Sequence, residues 1–390
     1  MLDIVVIGAG PAGSEAAFRL ASLGYSVLML EKRNLDREKP CGGAIQTIEL
    51  EQFGRPPDAV VERRIRGARL YDSKQNCLEV SFDPETISVK RSTYDTWLQD
   101  RARNKGAMIE EDSEVVRVKL GSPALVSVKK RGDVECRFVI DASGPKGILR
   151  RQFRPAPVPD GYAIAIQEWF PLPQAEIDDL LGGNFCTSFD SSFVPMGYAW
   201  IFPKKEAVVV GLGTTIGEMR SHKMTLREAL DSYSSNNPVT GSSLQGAQGF
   251  LLQSAVIPTE IQSPLRYENS LVVGDAAGLA NPIHGGGIYP ARLSGKMAAE
   301  RTGEFLEKGT ESALEGYEKG IQEVMWESNY RWSVMMREIF SENELVTYLF
   351  ETYSSDASFK RLLSDLMMRF DHKHAYEKLT EIALTFYGED

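Results

Sequence analysis

A strand, a glycine-rich turn and a helix follow one another at the start of the sequence, and this order constrains the fold more than any other feature. The run Ile4–Ile7 is apolar and β-branched, which is typical of a strand buried on both faces. It leads into Gly8, Gly10 and Gly13, then into a helical pattern, and then into a second strand that ends at Glu31. This succession predicts a Rossmann-type α/β domain that binds a dinucleotide.

Each residue of this motif has a physical reason for its place. Gly8 permits a tight turn, Gly10 allows the backbone to approach a pyrophosphate, and Gly13 lets the helix pack closely on the strand. The N-terminus of that helix carries partial positive charge toward the phosphates. Glu31 can accept hydrogen bonds from the adenosine ribose, which favours FAD or NAD over a 2′-phosphorylated cofactor.

A second glycine-rich stretch, LVVGDAAGLANPIHGGG, occupies residues 271–287. Its apolar start predicts a strand at 271–273 that delivers Asp275 to the carboxyl edge of the sheet, where ligands of open α/β sheets bind. We expect a helix to begin around Gly285–Gly287, with free N–H groups directed at a pyrophosphate or at the N1–O2 edge of a flavin. A dehydrogenase with one NAD fold has no use for this stretch, so FAD is favoured.

The pair GAGPAG and GDAAGLANPIHGGG resembles the FAD-binding fold that aromatic hydroxylases and geranylgeranyl reductases share. Three further stretches extend the resemblance: KPCGGAI to a cysteine–glycine loop beside the flavin, KRSTYDTWL to a helix start whose arginine reaches FAD, and DASG to a strand end near the adenosine half. The FAD-binding residues that the motifs and the resemblance imply are Gly8, Gly10, Pro11, Ala12, Gly13, Glu31, Lys32, Cys41, Gly42, Arg91, Ala142, Gly144, Gly274, Asp275, Gly285, Gly286, Gly287 and Ile288.

The stretch VPMGYAWIFPKK matches the pattern P-x-x-Y-x-W-x-F-P that is typical of geranylgeranyl reductases. The resemblance implies an FAD-dependent reductase that saturates isolated double bonds of a prenyl chain, in isoprenoid ether lipid biosynthesis. The alternation of aromatic residues predicts a strand with one face toward an apolar tunnel. The resemblance implies Cys41, Tyr198 and Trp200 as catalytic residues, and Tyr198, Trp200, Phe202 and His284 as substrate-binding residues.

Several of these assignments have alternatives. The proton that completes the reduction could come from Cys41, from Tyr198 or from water. The aromatic strand could pack on an ordinary core, and Cys41 and His284 could be loop residues without chemistry. The loop also reads CGGA at residues 41–44, where archaeal lipid reductases often carry C-G-E-G. This form is closer to chlorophyll-pathway relatives, so the particular prenyl substrate stays open.

Two other classes of function share the FAD motifs. A flavin monooxygenase of the aromatic-hydroxylase type would carry polar groups for a phenol. An electron-transferring, quinone-linked flavoprotein would exchange electrons with a partner and reduce no prenyl chain. Only the Tyr/Trp/Phe motif favours the reductase. The sequence has no second GxGxxG, so the electron donor could be NAD(P)H that binds without its own Rossmann domain, or a ferredoxin-like protein.

The motifs divide the chain into an FAD-binding domain, a substrate domain with an antiparallel β-sheet, and a C-terminal helical segment. In the last of these, apolar and aromatic residues at helical spacing predict helices that pack a stripe inward. A Met-rich wall that covers a lipid tail or rests on a membrane is the alternative. The predicted boundaries are 1–65, 91–155 and 264–308 for the discontinuous FAD-binding domain, 66–90 and 156–263 for the substrate domain, and 309–390 for the helical subdomain.

Charge and composition limit the partners. The net charge is −10 and no basic patch is visible, which excludes a nucleic-acid partner. The acidic balance disfavours electrostatic attachment to anionic lipid, whereas a hydrophobic peripheral contact with a membrane stays open. No apolar run is long enough to span a bilayer, so we expect a cytoplasmic protein. The 4 cysteines are widely spaced, and neither they nor the histidines have the spacing of metal ligands, so no metal site is expected.

Overall fold

The computed structural model describes residues 1–221 and 224–388 of the chain. Positions 222–223 and 389–390, which the predicted substrate domain and helical subdomain include, lie outside the described residues. The strands are β1 (Leu2–Ile7), β2 (Val27–Leu30), β3 (Ala44–Ile45), β4 (Val61–Tyr71), β5 (Cys77–Val89), β6 (Met108–Glu110), β7 (Val115–Lys119), β8 (Ala124–Val128), β9 (Gly132–Asp141), β10 (Ala163–Pro171), β11 (Asn184–Ser188), β12 (Tyr198–Pro203), β13 (Ala207–Thr215), β14 (Leu251–Ile257), β15 (Arg266–Tyr267) and β16 (Ser270–Val272). The α-helices are α1 (Pro11–Ser22), α2 (Thr47–Phe53), α3 (Arg91–Arg103), α4 (Ile148–Phe153), α5 (Gln174–Leu181), α6 (Ile216–Ser221), α7 (Leu226–Asn236), α8 (Gly241–Leu244), α9 (Ile288–Lys308), α10 (Glu311–Ile321), α11 (Arg331–Ser341), α12 (Asn343–Tyr353), α13 (Ala357–Met368) and α14 (His372–Tyr387).

The first sheet is the Rossmann-type sheet that the N-terminal motif predicts, with the strand order β15–β16–β9–β1–β2–β6. Strand β1 pairs in parallel with β2 and with β9, and residues 4–7 are buried because both faces of the sheet are covered. Strand β16 pairs in parallel with the other edge of β9. Both glycine-rich stretches therefore leave the same carboxyl edge of one sheet.

The second sheet has the order β14–β10–β13–β12–β11–β4–β5–β3. Its strands are antiparallel, as predicted, except that β11 pairs in parallel with β4. These two strands are distant in the chain and no hairpin joins them, so nothing in the connection forces them to run in opposite directions. The predicted boundary between residues 65 and 66 falls inside β4, and the division into domains stays a prediction.

Helices α10–α14 form the C-terminal region and include a π-helical segment, Gln322–Tyr330, before α11. Apolar residues of these helices pack on the β4–β5 hairpin in one cluster, which contains Leu70 and Phe82 from the strands and Leu363 from α13. The α/β fold with two sheets and a C-terminal helical region is confirmed. Among the described residues, no helix combines the length and the apolar character that crossing a bilayer requires.

A buried ion network fixes the two helices that follow the glycine-rich stretches. The guanidinium of Arg292, in α9, donates to Glu15 of α1 and to Glu49 of α2, both at 2.7 Å. All three side chains are fully buried, and burial raises the pKa of the Glu49 carboxyl. Removal of one partner from such a network leaves an uncompensated buried charge. The N-termini of α1 and α9 are therefore held at one place.

Candidate functional site

A cavity of about 340 Å³ lies where the two glycine-rich stretches meet the second sheet and the C-terminal helices. This volume is in the range of small-molecule and cofactor pockets, and most of its lining is apolar. The structure brings most of the sequence-predicted site residues to its wall. They are Gly10, Pro11, Ala12, Cys41, Gly42, Arg91, Ala142, Gly144, Tyr198, Trp200, Phe202, Asp275, His284, Gly285, Gly286, Gly287 and Ile288.

Five predicted cofactor residues are not among those that line the cavity: Glu31, Lys32 and three glycines that pack behind its wall. A Cβ atom at Gly8 would lie 2.3 Å from the carbonyl oxygen of Ala142, and the φ of Gly8 is +103°. A Cβ atom at Gly13 would lie 2.0 Å from the carbonyl oxygen of Gly8. A Cβ atom at Gly274 would lie 2.9 Å from Ala12. These glycines serve the close approach of backbone segments that shapes the turn.

The predicted ribose-binding acid is buried at the end of β2. One carboxylate oxygen of Glu31 accepts a hydrogen bond of 3.0 Å from the N–H of Ala9, and the other accepts one of 3.1 Å from the N–H of Arg33. Each oxygen keeps a second lone pair that can accept from a ribose hydroxyl. Lys32, its predicted neighbour in the site, is exposed.

The two helix N-termini at the cavity fit the diphosphate and flavin of FAD. Helix α1 begins after Gly10 and helix α9 begins after Gly287. Among the described residues, no side chain caps either helix and no acid lies in either first turn. The Cβ position of Gly10 is open, with no atom within 4 Å, so the turn leaves room for a ligand at the backbone. Uncapped N–H groups beside such a space are typical of phosphate sites.

Two ion pairs organise the polar end of the cavity. The Nζ of Lys39 lies 3.0 Å from a carboxylate oxygen of Asp275. Arg91 binds Asp95 through two hydrogen bonds of 2.9 and 2.8 Å, a bidentate pair that fixes its guanidinium at the cavity wall. Sequence reasoning missed the role of Lys39, although its place two residues before the cysteine loop put it beside the motif. Whether Arg91 contacts FAD stays a prediction.

The cysteine loop is held by a buried lysine that sequence reasoning also missed. The Nζ of Lys204 donates to the carbonyl oxygens of Gly42 at 2.6 Å and Val89 at 3.0 Å, and to the hydroxyl of Ser88 at 2.6 Å. Burial lowers the pKa of Lys204 to about 8. The Sγ of Cys41 accepts a hydrogen bond of 3.3 Å from the N–H of Gly43. The position of Lys204 directly after the aromatic motif gives no indication of its acceptors on the cysteine loop.

The aromatic residues of β12 form a wall opposite the cysteine loop. Tyr198 and Trp200 have ring centroids 5.7 Å apart, and Trp200 and Phe202 are separated by 6.3 Å. A Cβ atom at Gly42 would lie 2.4 Å from the Phe202 ring, so only glycine allows this contact. The indole Nε1 of Trp200 is buried and has no hydrogen-bond partner within the described part of the chain. The predicted placement of these three residues on one face agrees with the structure.

Tyr198 and His284 meet at the second glycine-rich stretch. The Tyr198 hydroxyl donates a hydrogen bond of 2.6 Å to the carbonyl oxygen of His284, and burial raises the pKa of Tyr198. The Nδ1 of His284 accepts from the N–H of Gly286 at 3.0 Å. Burial lowers the pKa of His284 to about 4, so its imidazole is neutral at pH 7. The predicted contact of His284 with substrate remains untested.

The C-terminal helices contribute part of the cavity wall, in addition to packing on the second sheet. Phe340 of α11 and Leu363, Leu366, Met367 and Met368 of α13 line the cavity. The Nε2 of Gln46 donates to the carbonyl oxygen of Met367 at 3.1 Å. The same helices therefore pack an apolar stripe inward and form part of the apolar wall of the chamber.

Known proteins place this architecture in a class of enzymes. Residues 1–328 match the family model described as the FAD binding domain, so the chain is a flavoprotein of that family and FAD is its cofactor. The chain is 31% identical over 340 residues to digeranylgeranylglycerophospholipid reductase 1 of Methanopyrus kandleri, across 84% of this chain and 87% of that protein. It belongs to the geranylgeranyl reductase family and is an FAD-dependent oxidoreductase.

Two further relatives extend this finding. The geranylgeranyl diphosphate reductase of Synechocystis sp. is 28% identical over 390 aligned positions, across 94% of this chain and 89% of that protein. The crystal structure of a geranylgeranyl bacteriochlorophyll reductase-like protein from Thermoplasma acidophilum matches 98% of this chain and 99% of its own, with a TM-score of 0.82 at 23% identity. At 23% identity, the similarity to this crystal structure shows that the two proteins share a fold.

Proposed function

We propose that this protein saturates carbon–carbon double bonds of a geranylgeranyl chain, as a step in isoprenoid ether lipid biosynthesis. One observation carries the proposal. The aromatic face of β12 lies opposite the loop of Cys41 and Gly42, inside the same apolar cavity that both glycine-rich stretches enter. A hydrocarbon chain laid along that face would pass between the aromatic rings and the FAD site.

The reaction requires positioning more than charge stabilisation. FAD, once reduced, supplies the hydride. An isolated alkene has no carbonyl that could accept charge, so the protein must hold the double bond close to the hydride donor and keep water away. The apolar lining and the buried ring of Trp200 provide such an environment. The electron-rich face of an indole can also stabilise partial positive charge on the carbon that receives the hydride.

While one carbon of the double bond receives the hydride, a proton must reach the other carbon, and the hydrogen bonds favour Cys41 over Tyr198 as its source. The Tyr198 hydroxyl proton is already donated to the carbonyl oxygen of His284. Burial raises the pKa of that hydroxyl, which makes it a weaker acid. The Sγ of Cys41 instead accepts a hydrogen bond from Gly43, so its own proton remains available. We therefore assign proton delivery to Cys41.

Electrons reach the protein from outside the chain, and we propose NAD(P)H or a ferredoxin-like carrier as their source. A prenyl lipid would bring the protein to a membrane surface as a cytoplasmic, peripheral enzyme. The exposed apolar side chains Val334 and Met335 on α11 are compatible with such contact. Steady-state assays with each donor in turn would identify the reductant.

The decisive experiment uses the purified, FAD-loaded protein. We would photoreduce the flavin without oxygen, add geranylgeranyl diphosphate or a digeranylgeranylglycerophospholipid, and record flavin absorbance and product mass. The expected result is reoxidation of the flavin with a gain of two hydrogens for each bond reduced. Free photoreduced FAD with the same lipids is the control. A flavin that stays reduced until oxygen enters would refute the proposal and favour the monooxygenase or the electron-transfer class.

A further inference from the structure

One charged side chain in the cavity, that of Arg337, forms no ion pair with any of the described residues. Four charged residues line the chamber: Lys39, Arg91, Asp275 and Arg337. Lys39 pairs with Asp275, and Arg91 pairs with an aspartate of its own helix. Within residues 1–221 and 224–388, Arg337 forms neither an ion pair nor a hydrogen bond. The cation is therefore not used to hold the protein wall together.

The position of Arg337 relates it to the aromatic wall. Arg337 and Phe340 lie one helical turn apart on α11, and both face the chamber. The ring of Phe340 lies 5.3 Å from that of Phe189, which lies 6.2 Å from Tyr198, which lies 5.7 Å from Trp200. These rings form a continuous row from the cysteine loop to α11. Arg337 stands at the end of the row that is opposite the loop.

The surroundings of Arg337 favour an anionic ligand. Burial lowers the pKa of the guanidinium, which nevertheless stays protonated because arginine does not lose its proton in proteins. Glu218 and Glu260 attract it from a distance. Neither of them, in the described part of the chain, forms an ion pair with it. A partly buried cation without a partner is unfavourable, and binding of an anion relieves that cost.

We propose that Arg337 binds the phosphate of an anionic headgroup, while the prenyl chain of the same substrate runs along the aromatic row toward Cys41. This inference rests on the proposed function and narrows its substrate to phosphate-bearing prenyl compounds, as opposed to prenyl quinones or chlorin esters. The planar guanidinium can donate two parallel hydrogen bonds to phosphate oxygens, a geometry that lysine lacks. A diphosphate and a phosphodiester present the same oxygens.

The test compares ligands that share the geranylgeranyl chain and differ in whether they carry a phosphate group. Calorimetry on the oxidised, FAD-loaded protein would measure the binding of geranylgeranyl diphosphate and of neutral geranylgeraniol to wild type, R337Q, R337K and R331Q. Arg331 lies on the same helix, pairs with Glu327 and does not line the chamber, so R331Q is the matched control. A third ligand is geranylgeranylglyceryl phosphate esterified with an amino alcohol, which is a phosphodiester. Its affinity compared with that of the diphosphate distinguishes the two headgroup types. FAD content and thermal unfolding report folding.

We expect R337Q to weaken binding of geranylgeranyl diphosphate by roughly 10- to 100-fold, to leave geranylgeraniol unchanged, and R337K to lie between. The control R331Q should bind both ligands as wild type does. Equal losses for both ligands in R337Q, or wild-type affinity that does not distinguish them, would overturn the assignment. The product mass of the reduction assay is read separately. A protein that prefers the diphosphate yet reduces no bond therefore refutes the proposed function and leaves the headgroup site standing.

Discussion

The Nζ of Lys204 lies 2.6 Å from the carbonyl oxygen of Gly42, so a fully buried cation holds the loop that carries Cys41. The ammonium has three protons, and its three partners are Gly42, Ser88 and Val89. This match satisfies every donor of the group. It also ties the position of the cysteine loop to the protonation state of one lysine.

This arrangement predicts a pH dependence of stability. Burial lowers the pKa of Lys204 from its ordinary 10.5 to about 8. Between these two pH values the unfolded chain binds more protons than the folded chain, so the lysine favours the folded state increasingly as the pH rises. Relative to K204M, wild type should gain roughly 2–4 kcal/mol in free energy of unfolding between pH 7.5 and pH 10.5. Urea unfolding of both proteins across this range measures it, and parallel pH curves would contradict it.

A substitution at Gly10 should affect cofactor binding without affecting folding. Its Cβ position is open, and the φ of this glycine is −79°, so alanine causes neither a clash nor backbone strain in the protein itself. The new methyl group would occupy the space in which a phosphate must approach the backbone. We expect G10A to keep the thermal unfolding temperature of the FAD-free protein and to lose FAD affinity by about 10-fold or more. Flavin fluorescence titration measures the FAD affinity. Unchanged affinity in G10A would show that the diphosphate of FAD does not bind at this turn.

Separate replacement of Cys41 and of Tyr198 distinguishes between the two residues that are candidates for the proton donor. If Cys41 delivers the proton, C41A should slow reoxidation of photoreduced enzyme by geranylgeranyl diphosphate by about 100-fold, the usual contribution of a general acid. Y198F should slow it only a few-fold, since its hydroxyl proton is held by the carbonyl oxygen of His284. Stopped-flow absorbance gives both rates, with FAD content as the control. The opposite order of effects would transfer the assignment to Tyr198.

The part of the apolar wall that α13 supplies predicts a substitution whose effect depends on the length of the substrate chain. Met367 lines the cavity from α13, and a tryptophan at this position would fill space that a long chain needs. We expect M367W to reduce turnover of geranylgeranyl diphosphate by about 10-fold or more while the shorter geranyl diphosphate is still reduced. M367L, which conserves volume, is the matched control. Equal losses on both substrates would mean that Met367 does not border the distal part of the chain.

The cofactor half of the molecule was predictable because its signals are local. A strand, glycines at fixed offsets and a helix follow within a short stretch around Gly10, and Asp275 belongs to a second such stretch. Backbone geometry there allows few alternatives, since a Cβ atom at Gly8 or Gly13 would overlap neighbouring backbone. The alternation on β12 similarly fixed which side of the strand faces the cavity.

The remaining features depend on contacts between segments that are distant in the chain. Lys204 reaches the cysteine loop across the second sheet, and no pattern around position 204 reveals the acceptors at Gly42 and Val89. Arg337 and Phe340 read as ordinary helix residues, and only the folded chain brings them to the cavity that β12 also lines. The pairing of β4 with β11 likewise has no local signal, because it joins strands that no turn connects.

The family model ends at residue 328, whereas Arg337, Phe340 and Met367 belong to α11 and α13. The wall of the chamber thus has two contributions, one from the part of the chain that the family model matches and one from helices α11 and α13. On the proposed function, we expect substitutions in α11 and α13 to change the length or headgroup of the lipid that fits, while the glycine-rich turns stay intact. Differences in α11 and α13 between relatives that share the FAD-binding part of the fold are therefore where we expect their preferences for substrate to diverge.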